Sequence, residues 1–189
     1  MVELLIYTGQ RRNEIASLRA EWIDFEKHTI TLPASVTKNK RQHTFPFGRM
    51  AEAVLARGKK KGLLFPARGK EDTVINGWSK LKPAFDRQCP LASWTLHDLR
   101  RTCATNLAAL GTPVHVTEKL LNHVSGSMGG IVAVYQRHAY LEEIRGAVAA
   151  WEKHLTSLTK RGSLKLRSNA SKTPPRLQMD AQVFGAKSR

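Results

Sequence analysis

Little in this 189-residue chain could cross a membrane, staple the fold covalently or clamp a metal. No segment approaches the run of about 20 apolar residues that a membrane-spanning helix needs. The opening MVELLIYTGQ has neither a basic leader nor a small-residue cleavage site, so a soluble, non-exported protein with no membrane partner is expected. Cys89 and Cys103 are too few for a disulfide framework and too far apart for a close-spaced zinc knuckle, which suits a reducing, cytoplasmic compartment. The chain offers no carboxylate cluster of the two-metal kind and no Cys/His ligand spacing, so neither a metal nor a small-molecule cofactor is expected. Internal repeats are absent. Acidic residues are scarce: 15 Asp and Glu oppose 31 Lys and Arg, for a net charge of +16. Such an excess favours a polyanionic partner, nucleic acid first. The last thirty residues carry a net +7 of it, leaving +9 for residues 1–159, so the basic character does not depend on the tail.

What is present suffices for one folded domain, since 41% of the residues are hydrophobic. VELLIYTG reads as the end of a helix closed by Gly9. RRNEIASLRAEWI then places Ile15, Leu18 and Trp22 on one helical stripe. Residues 28–34 and 41–47 alternate like strands around the polar SVTKNK, which predicts an antiparallel hairpin with a basic turn. A short helix running into a basic loop follows over 48–62, and ARGKED (67–72) reads as another loop. Residues 73–89 predict a helix with Trp78, Leu81 and Phe85, interrupted near Pro83. Leu99, Cys103, Leu107 and Leu110 recur at helical spacing up to Gly111-Thr-Pro113. Another helix is expected over 114–123, then a Gly/Ser loop, and a last helix from about 141 to 158 with Val148, Trp151 and Leu155 on one stripe. Beyond about 160, Ser, Lys and Pro with few large apolar residues predict a disordered, basic tail. The fold class is therefore α+β and mainly helical, with a small antiparallel sheet on a helical bundle.

Five short motifs carry chemistry. In TLHDLRRT, His97 and Arg100 stand at i and i+3 and can approach one ligand. In TGQRRNEI, Arg11 follows a helix-ending glycine, and Glu14 can hydrogen-bond its guanidinium and fix its orientation. TKNK puts Lys38 in the hairpin turn, LLNH ends a helix on His123, and VYQRH offers Tyr135. Taken singly, each has an ordinary reading: a half-buried histidine beside an exposed arginine on a helix surface, an ion pair at a helix start, a solvated lysine, a histidine favoured by a helix dipole, a packing aromatic.

Taken in order, the five resemble the catalytic domain of the tyrosine recombinases, the phage-integrase family, from about residue 4 to about residue 155. The resemblance implies that Arg11 and Arg100 are the two arginines around a scissile phosphate, His97 the histidine of the H-x-x-R box, and His123 the later histidine. It further implies that Lys38 is the hairpin lysine, Glu14 the acid supporting Arg11, and Tyr135 the nucleophile. Tyr140 is the rival tyrosine; Tyr135 is preferred because the following QRH resembles the family's sequel. The stretch between His123 and Tyr135 departs from the family pattern in being long and glycine-rich. By the resemblance, residues 1–159 form the catalytic domain without the N-terminal DNA-clamping domain of full-length members, and 160–189 a tail. The partner implied is double-stranded DNA, with self-association on it, and Lys40, Arg41, Lys59, Lys60, Lys61 and Arg101 are candidate phosphate contacts. The last helix would either dock on a neighbouring protomer or pack within its own chain. Two other readings use the same residues: a silent DNA-binding fragment, and a type IB topoisomerase-like relaxer of supercoils.

The proposed chemistry is consistent with these residue types. Two guanidiniums can neutralise charge on non-bridging phosphate oxygens, a phenol can hold the covalent 3′-phosphotyrosine, and an ammonium can protonate the leaving 5′ oxygen.

Overall fold

The computed structural model describes residues 1–89, 91–123 and 140–170, the last ten as backbone only. Helix α1 (Val2–Thr8) buries Leu4, Leu5 and Thr8 and stops at Gly9, whose φ of 65° is left-handed. Glycine is required there twice over. Its backbone conformation disfavours a side chain, and a Cβ would lie 2.8 Å from both Cys103 Sγ and a methyl of Leu121. The end of α1 is thereby seated directly against two other segments.

Helix α2 (Arg12–Ala16) is shorter than the expected stripe from Ile15 to Trp22. Ile15 and Leu18 are both fully buried, as the spacing predicts. After Ala16, however, the backbone straightens to bond elsewhere: Leu64 N–H donates to Leu18 O at 2.9 Å and Ala20 N–H to Gly62 O at 2.9 Å. Non-local pairing therefore outweighs local helical preference, and Trp22 falls in a separate 3-10 turn, Ala20–Trp22.

Strands β1 (Ile23–Asp24), β2 (Thr29–Leu32) and β3 (His43–Pro46) form an antiparallel sheet in that order. The register pairs Ile30 with Phe45 and Leu32 with His43, so one face carries all four side chains inward. The expected hairpin is present, with the Lys38 turn between β2 and β3. Helix α3 (Arg49–Leu55) follows. Residues 67–72, expected as a loop, instead contribute to a two-stranded sheet of β4 (Pro66–Ala67) and β5 (Lys70–Val74). Four of the five β5 residues are exposed, so no apolar alternation marked it.

Helix α4 (Trp78–Gln88) contains Pro83 and buries no residue fully. Helix α5 (Leu96–Ala109) starts at a capping box, in which the Thr95 N–H and hydroxyl both donate to Asp98 Oδ2 at 2.8 Å. Helix α6 (Val114–Leu120) buries Val116 and Leu120. Helix α7 (Leu141–Ala170) extends about ten residues into the segment read as tail.

The chain divides into two units, Met1–Leu155 and Thr156–Arg189. In the first, Leu4, Ile15, Ile30, Phe45, Leu107, Leu121 and Trp151 belong to one core. Val148 and Trp151 are buried there, and Trp151 Nε1 donates to Ile6 O at 2.8 Å. That stripe of α7 packs within its own chain.

Candidate functional site

A helix of this kind leaves its last carbonyls without partners inside the helix. At the end of α6 the carbonyls of Leu120 and the capping Leu121 are in this position, that of Asn122 follows directly, and side chains from distant segments take all three. Leu120 O accepts from Gln10 Nε2 at 2.8 Å and from His43 Nε2 at 3.1 Å. Leu121 O accepts from Arg100 at 2.5 Å. Asn122 O accepts from Arg11 at 2.9 Å and from Asn39 Nδ2 at 2.7 Å. The candidate site is assembled on this helix end.

Arg100 is only 3% exposed, so the surface arginine of the ordinary reading is in fact the buried member of its pair. The α5 capping box sets the helix start, and one turn later Arg100 points into the protein while His97 remains exposed. The second nitrogen of its fork donates to Gly9 O at 3.0 Å, so Arg100 joins the ends of α1 and α6. Helix C-termini carry partial negative charge, which suits a cation there. Burial, then the nearby Arg11 guanidinium, pushes the Arg100 pKa down to about 10, and it stays charged at neutral pH.

Arg11 precedes α2 in extended conformation, and Glu14 Oε2 accepts from its backbone N–H at 3.4 Å. The other oxygen of Glu14 accepts from the Arg11 guanidinium at 3.1 Å and from the Lys38 backbone N–H at 3.3 Å. Glu14 is 1% exposed. One buried carboxylate thus orients both the arginine and the hairpin turn. Two guanidiniums beside one carboxylate leave an unbalanced positive charge, a setting that favours a phosphate.

Arg11, Glu14, Lys38, His97 and Arg100 line one cavity of about 940 Å³, so the structure brings together five of the predicted residues. His123 follows Asn122 at the end of α6, and its pKa is lowered, first by desolvation and then by Arg100, Arg11 and, more weakly, His97. The imidazole is therefore neutral at pH 7 and able to accept a proton. Tyr135 lies outside the described residues. Tyr140, the rival, packs its ring 5.1 Å from that of His115.

The candidate phosphate contacts separate. Lys40 lines the cavity. Arg41 is exposed, and its backbone closes the turn against Thr37 Oγ1. Arg101 is exposed and pairs with Asp98 at 3.2 Å. Lys59, Lys60 and Lys61 line a different concavity with Arg19 and Glu21; Lys59 pairs with Glu71 at 2.9 Å and Lys60 sits 6.0 Å from the Phe25 ring centre.

Several residues of the site had no clear signal in the sequence. His43 is buried, its ring stacked 5.1 Å from Phe45. Burial above all, with Arg100 and Arg11, lowers its pKa to about 4, so the neutral ring donates its Nε2 hydrogen to Leu120 O. Asn122 adopts φ 50°, a conformation asparagine tolerates better than most residues, and an asparagine directly after a helix is the sign that could have marked it. The cavity lining also includes aromatic and basic pairs: Arg12 stands 5.6 Å from the Trp78 ring centre, and Lys82 lies 3.8 Å from that of Trp94.

Residues 1–142 match the phage integrase family. The prophage integrase IntZ of Escherichia coli K12 is 34% identical over 163 residues, covering 83% of this chain and 39% of that protein. The chain belongs to the phage integrase family. Tyrosine recombinase XerD of Mycobacterium tuberculosis is 31% identical over 160 residues, 78% of this chain and 50% of XerD. Among solved structures, an integrase from mycobacterium phage Brujita superposes with a TM-score of 0.62 at 20% identity, over 79% of this chain and 50% of that one. The Tn1549 transposon integrase, in complex with circular intermediate DNA, gives 0.51 at 16% identity, over 77% and 55%. The expected fold class is borne out: mixed α+β, mainly helical, with small antiparallel sheets. This family member spans half or less of the length of these two curated relatives. Among its described residues no helix is long and apolar enough to cross a membrane.

Proposed function

We propose that this chain supplies the catalytic unit of a site-specific DNA recombinase, cutting and rejoining strands by transesterification through a covalent 3′-phosphotyrosine. The observation that carries this reading is the convergence of Arg11 and Arg100 on consecutive carbonyls of one helix end, beside the Lys38 turn and His97, on a shared cavity. Membership of the family and the DNA complex of the Tn1549 integrase support it.

In this reading the phosphodiester enters the cavity and the two guanidiniums bind its non-bridging oxygens. Both are held rigid before substrate arrives, so little reorganisation is needed as charge grows at phosphorus. The Tyr135 oxygen attacks; its bond to phosphorus forms as the bond to the 5′ oxygen breaks. Lys38 gives a proton to that oxygen, and the phenol proton passes to a neutral imidazole, for which His123 is suited. The strand's 3′ phosphate stays on the tyrosine until a 5′ hydroxyl attacks in reverse. Residues 1–159 form the catalytic part and the basic segment after it an accessory contact to DNA. Recombination by this chemistry engages several copies around two duplexes.

The test is covalent capture on nicked duplexes whose central segment is randomised, with adducts recovered and sequenced. The wild-type chain should form a denaturant-resistant adduct that Tyr135→Phe abolishes without loss of DNA retention. DNA retained with no adduct would make the chain a binding fragment, and an adduct surviving in Tyr135→Phe would move the nucleophile to Tyr140. Relaxation of supercoils without exchange between duplexes would make it a topoisomerase-like enzyme.

A further inference from the structure

The β2–β3 turn is anchored on two sides. It is a tight turn in its own right: Lys40 N–H donates to Thr37 O at 3.2 Å, Lys40 has φ 56°, and Thr37 Oγ1 donates to Arg41 O at 2.7 Å and accepts from Arg41 N–H at 3.1 Å. Thr37 is 2% exposed, which fixes the root of the turn in the protein. At the tip, the Lys38 backbone N–H bonds Glu14 Oε1 at 3.3 Å. The adjacent Asn39 donates from Nδ2 both to Asn122 O at 2.7 Å and to Asn122 Oδ1 at 3.1 Å. Asn122 O also holds Arg11, and Glu14 also holds Arg11. The contacts close a ring from Arg11 to Glu14, to the Lys38–Asn39 peptide, to Asn122 and back to Arg11.

A lysine side chain is long and flexible, so its usefulness as a proton donor depends on where its backbone is held. Glu14 alone is a single pivot at one peptide N–H. Asn39 adds the second point that fixes the turn relative to the end of α6, where both guanidiniums are also bound. We infer that Asn39 is a positioning residue for Lys38, tying the general acid to the helix end that holds the arginines. It acts through Lys38 and does not itself touch the phosphate. This rests on the reaction proposed above.

The step concerned is breakage of the bond between phosphorus and the 5′ oxygen as Tyr135 attacks, with the proton passing from the Lys38 ammonium to that oxygen. Replacing the oxygen by sulfur gives a thiolate leaving group that departs without a proton, and so removes the demand on Lys38. On the duplex recovered by the capture selection, Asn39→Ala should slow adduct formation about 30-fold with the ordinary substrate, within the range for general acid catalysis, and no more than about 3-fold with bridging sulfur. DNA retention should be unchanged, and Asn39→Ala should add no further loss in a Lys38→Ala background. Equal losses on both substrates, or additive losses in the double variant, would make Asn39 a merely structural residue.

Hydrogen exchange on the free proteins reads the anchor without catalysis. Peptides covering 36–41 should exchange faster in Asn39→Ala while those covering 29–32 and 43–46 keep their protection. Unchanged exchange in the turn would overturn the inference whatever the kinetics. If the wild-type chain forms no adduct on either substrate, the proposed reaction fails, and the exchange measurement still decides whether Asn39 anchors the turn.

Discussion

Two basic regions of this chain differ in how their cations are held. Lys59, Lys60 and Lys61 stand on a surface loop, where the charge of Lys59 is shared with an exposed glutamate. Arg11 and Arg100 are drawn in against backbone carbonyls at the ends of helices, with one buried carboxylate for orientation. Exposed lysines contribute long-range attraction that salt screens. Forked arginines anchored on fixed carbonyls contribute direction, because few geometries satisfy all of their partners. Charge count is thus a guide to the partner, and the helix end is a guide to the chemistry.

The strongest way to break this contrast is to empty the centre. Arg100→Ala leaves Gly9 O and Leu121 O without their donor, and an unmet buried carbonyl costs about 1–3 kcal/mol. It also removes charge stabilisation at phosphorus, so adduct formation should fall by about 10³-fold or more. DNA retention should weaken by less than about 10-fold, because many other cations contribute to non-specific binding. Similar losses in both assays would reduce Arg100 to a docking cation. Next in size is Glu14→Gln. Only one oxygen survives as an acceptor, so in either rotamer the NH₂ opposes a donor of Arg11, its backbone N–H or its guanidinium together with the Lys38 N–H, and adduct formation should drop about 100-fold with oxygen as leaving group. Unaltered kinetics would show that Arg11 needs no orienting acid.

The third expectation concerns pH and the same helix end. His43 has its pKa lowered from the ordinary 6.5 to about 4, mainly by burial. The unfolded chain therefore takes up a proton between those values while the folded one does not, so the stability contribution is complete above pH 6.5 and lost as pH falls toward 4. At pH 5 the loss is about 2 kcal/mol relative to pH 7, from about 1.4 kcal/mol per unit over that interval. Urea unfolding at both values measures it, and His43→Gln, which can donate to Leu120 O without titrating, should flatten the dependence. An equally steep profile in that variant would assign the acid sensitivity to other groups.

The sequence makes the side-chain half of the site legible and hides the backbone half. Arg11, Glu14, Lys38, His97 and Arg100 stood out because the motifs that contain them, taken in order, resemble those of the family, and a helical period shows which residues share a face. The carbonyls of Leu120, Leu121 and Asn122 carry no signature, since every residue has one. Their importance arises from where α6 ends and from what lies opposite, which is tertiary information. For the same reason His43 reads as one more residue in an alternating strand. The core pattern was clear wherever periodicity met burial, as in β2, β3 and α5. It failed where backbone pairing overrode it at the end of α2, and in β5, whose exposed polar residues offer no alternation. Pro83 also proved compatible with an unbroken α4.

The smallest expected effect lies in the surface region and sharpens the contrast from the other side. Changing Lys59, Lys60 and Lys61 together to alanine should leave adduct formation at saturating DNA unchanged, because none of the three lines the cavity that holds the arginines. The effect should appear in affinity alone, as a weakening of less than about 10-fold that vanishes at high salt. If all three reached phosphates, the slope of log affinity against log salt would fall by about 2.7, from about 0.9 per neutralised phosphate. Lys59 is already engaged by Glu71 at 2.9 Å and must exchange one partner for another, so the change should stay below that bound. A loss of cleavage rate at saturating DNA would place this loop within the reacting assembly and remove the division between steering and chemistry.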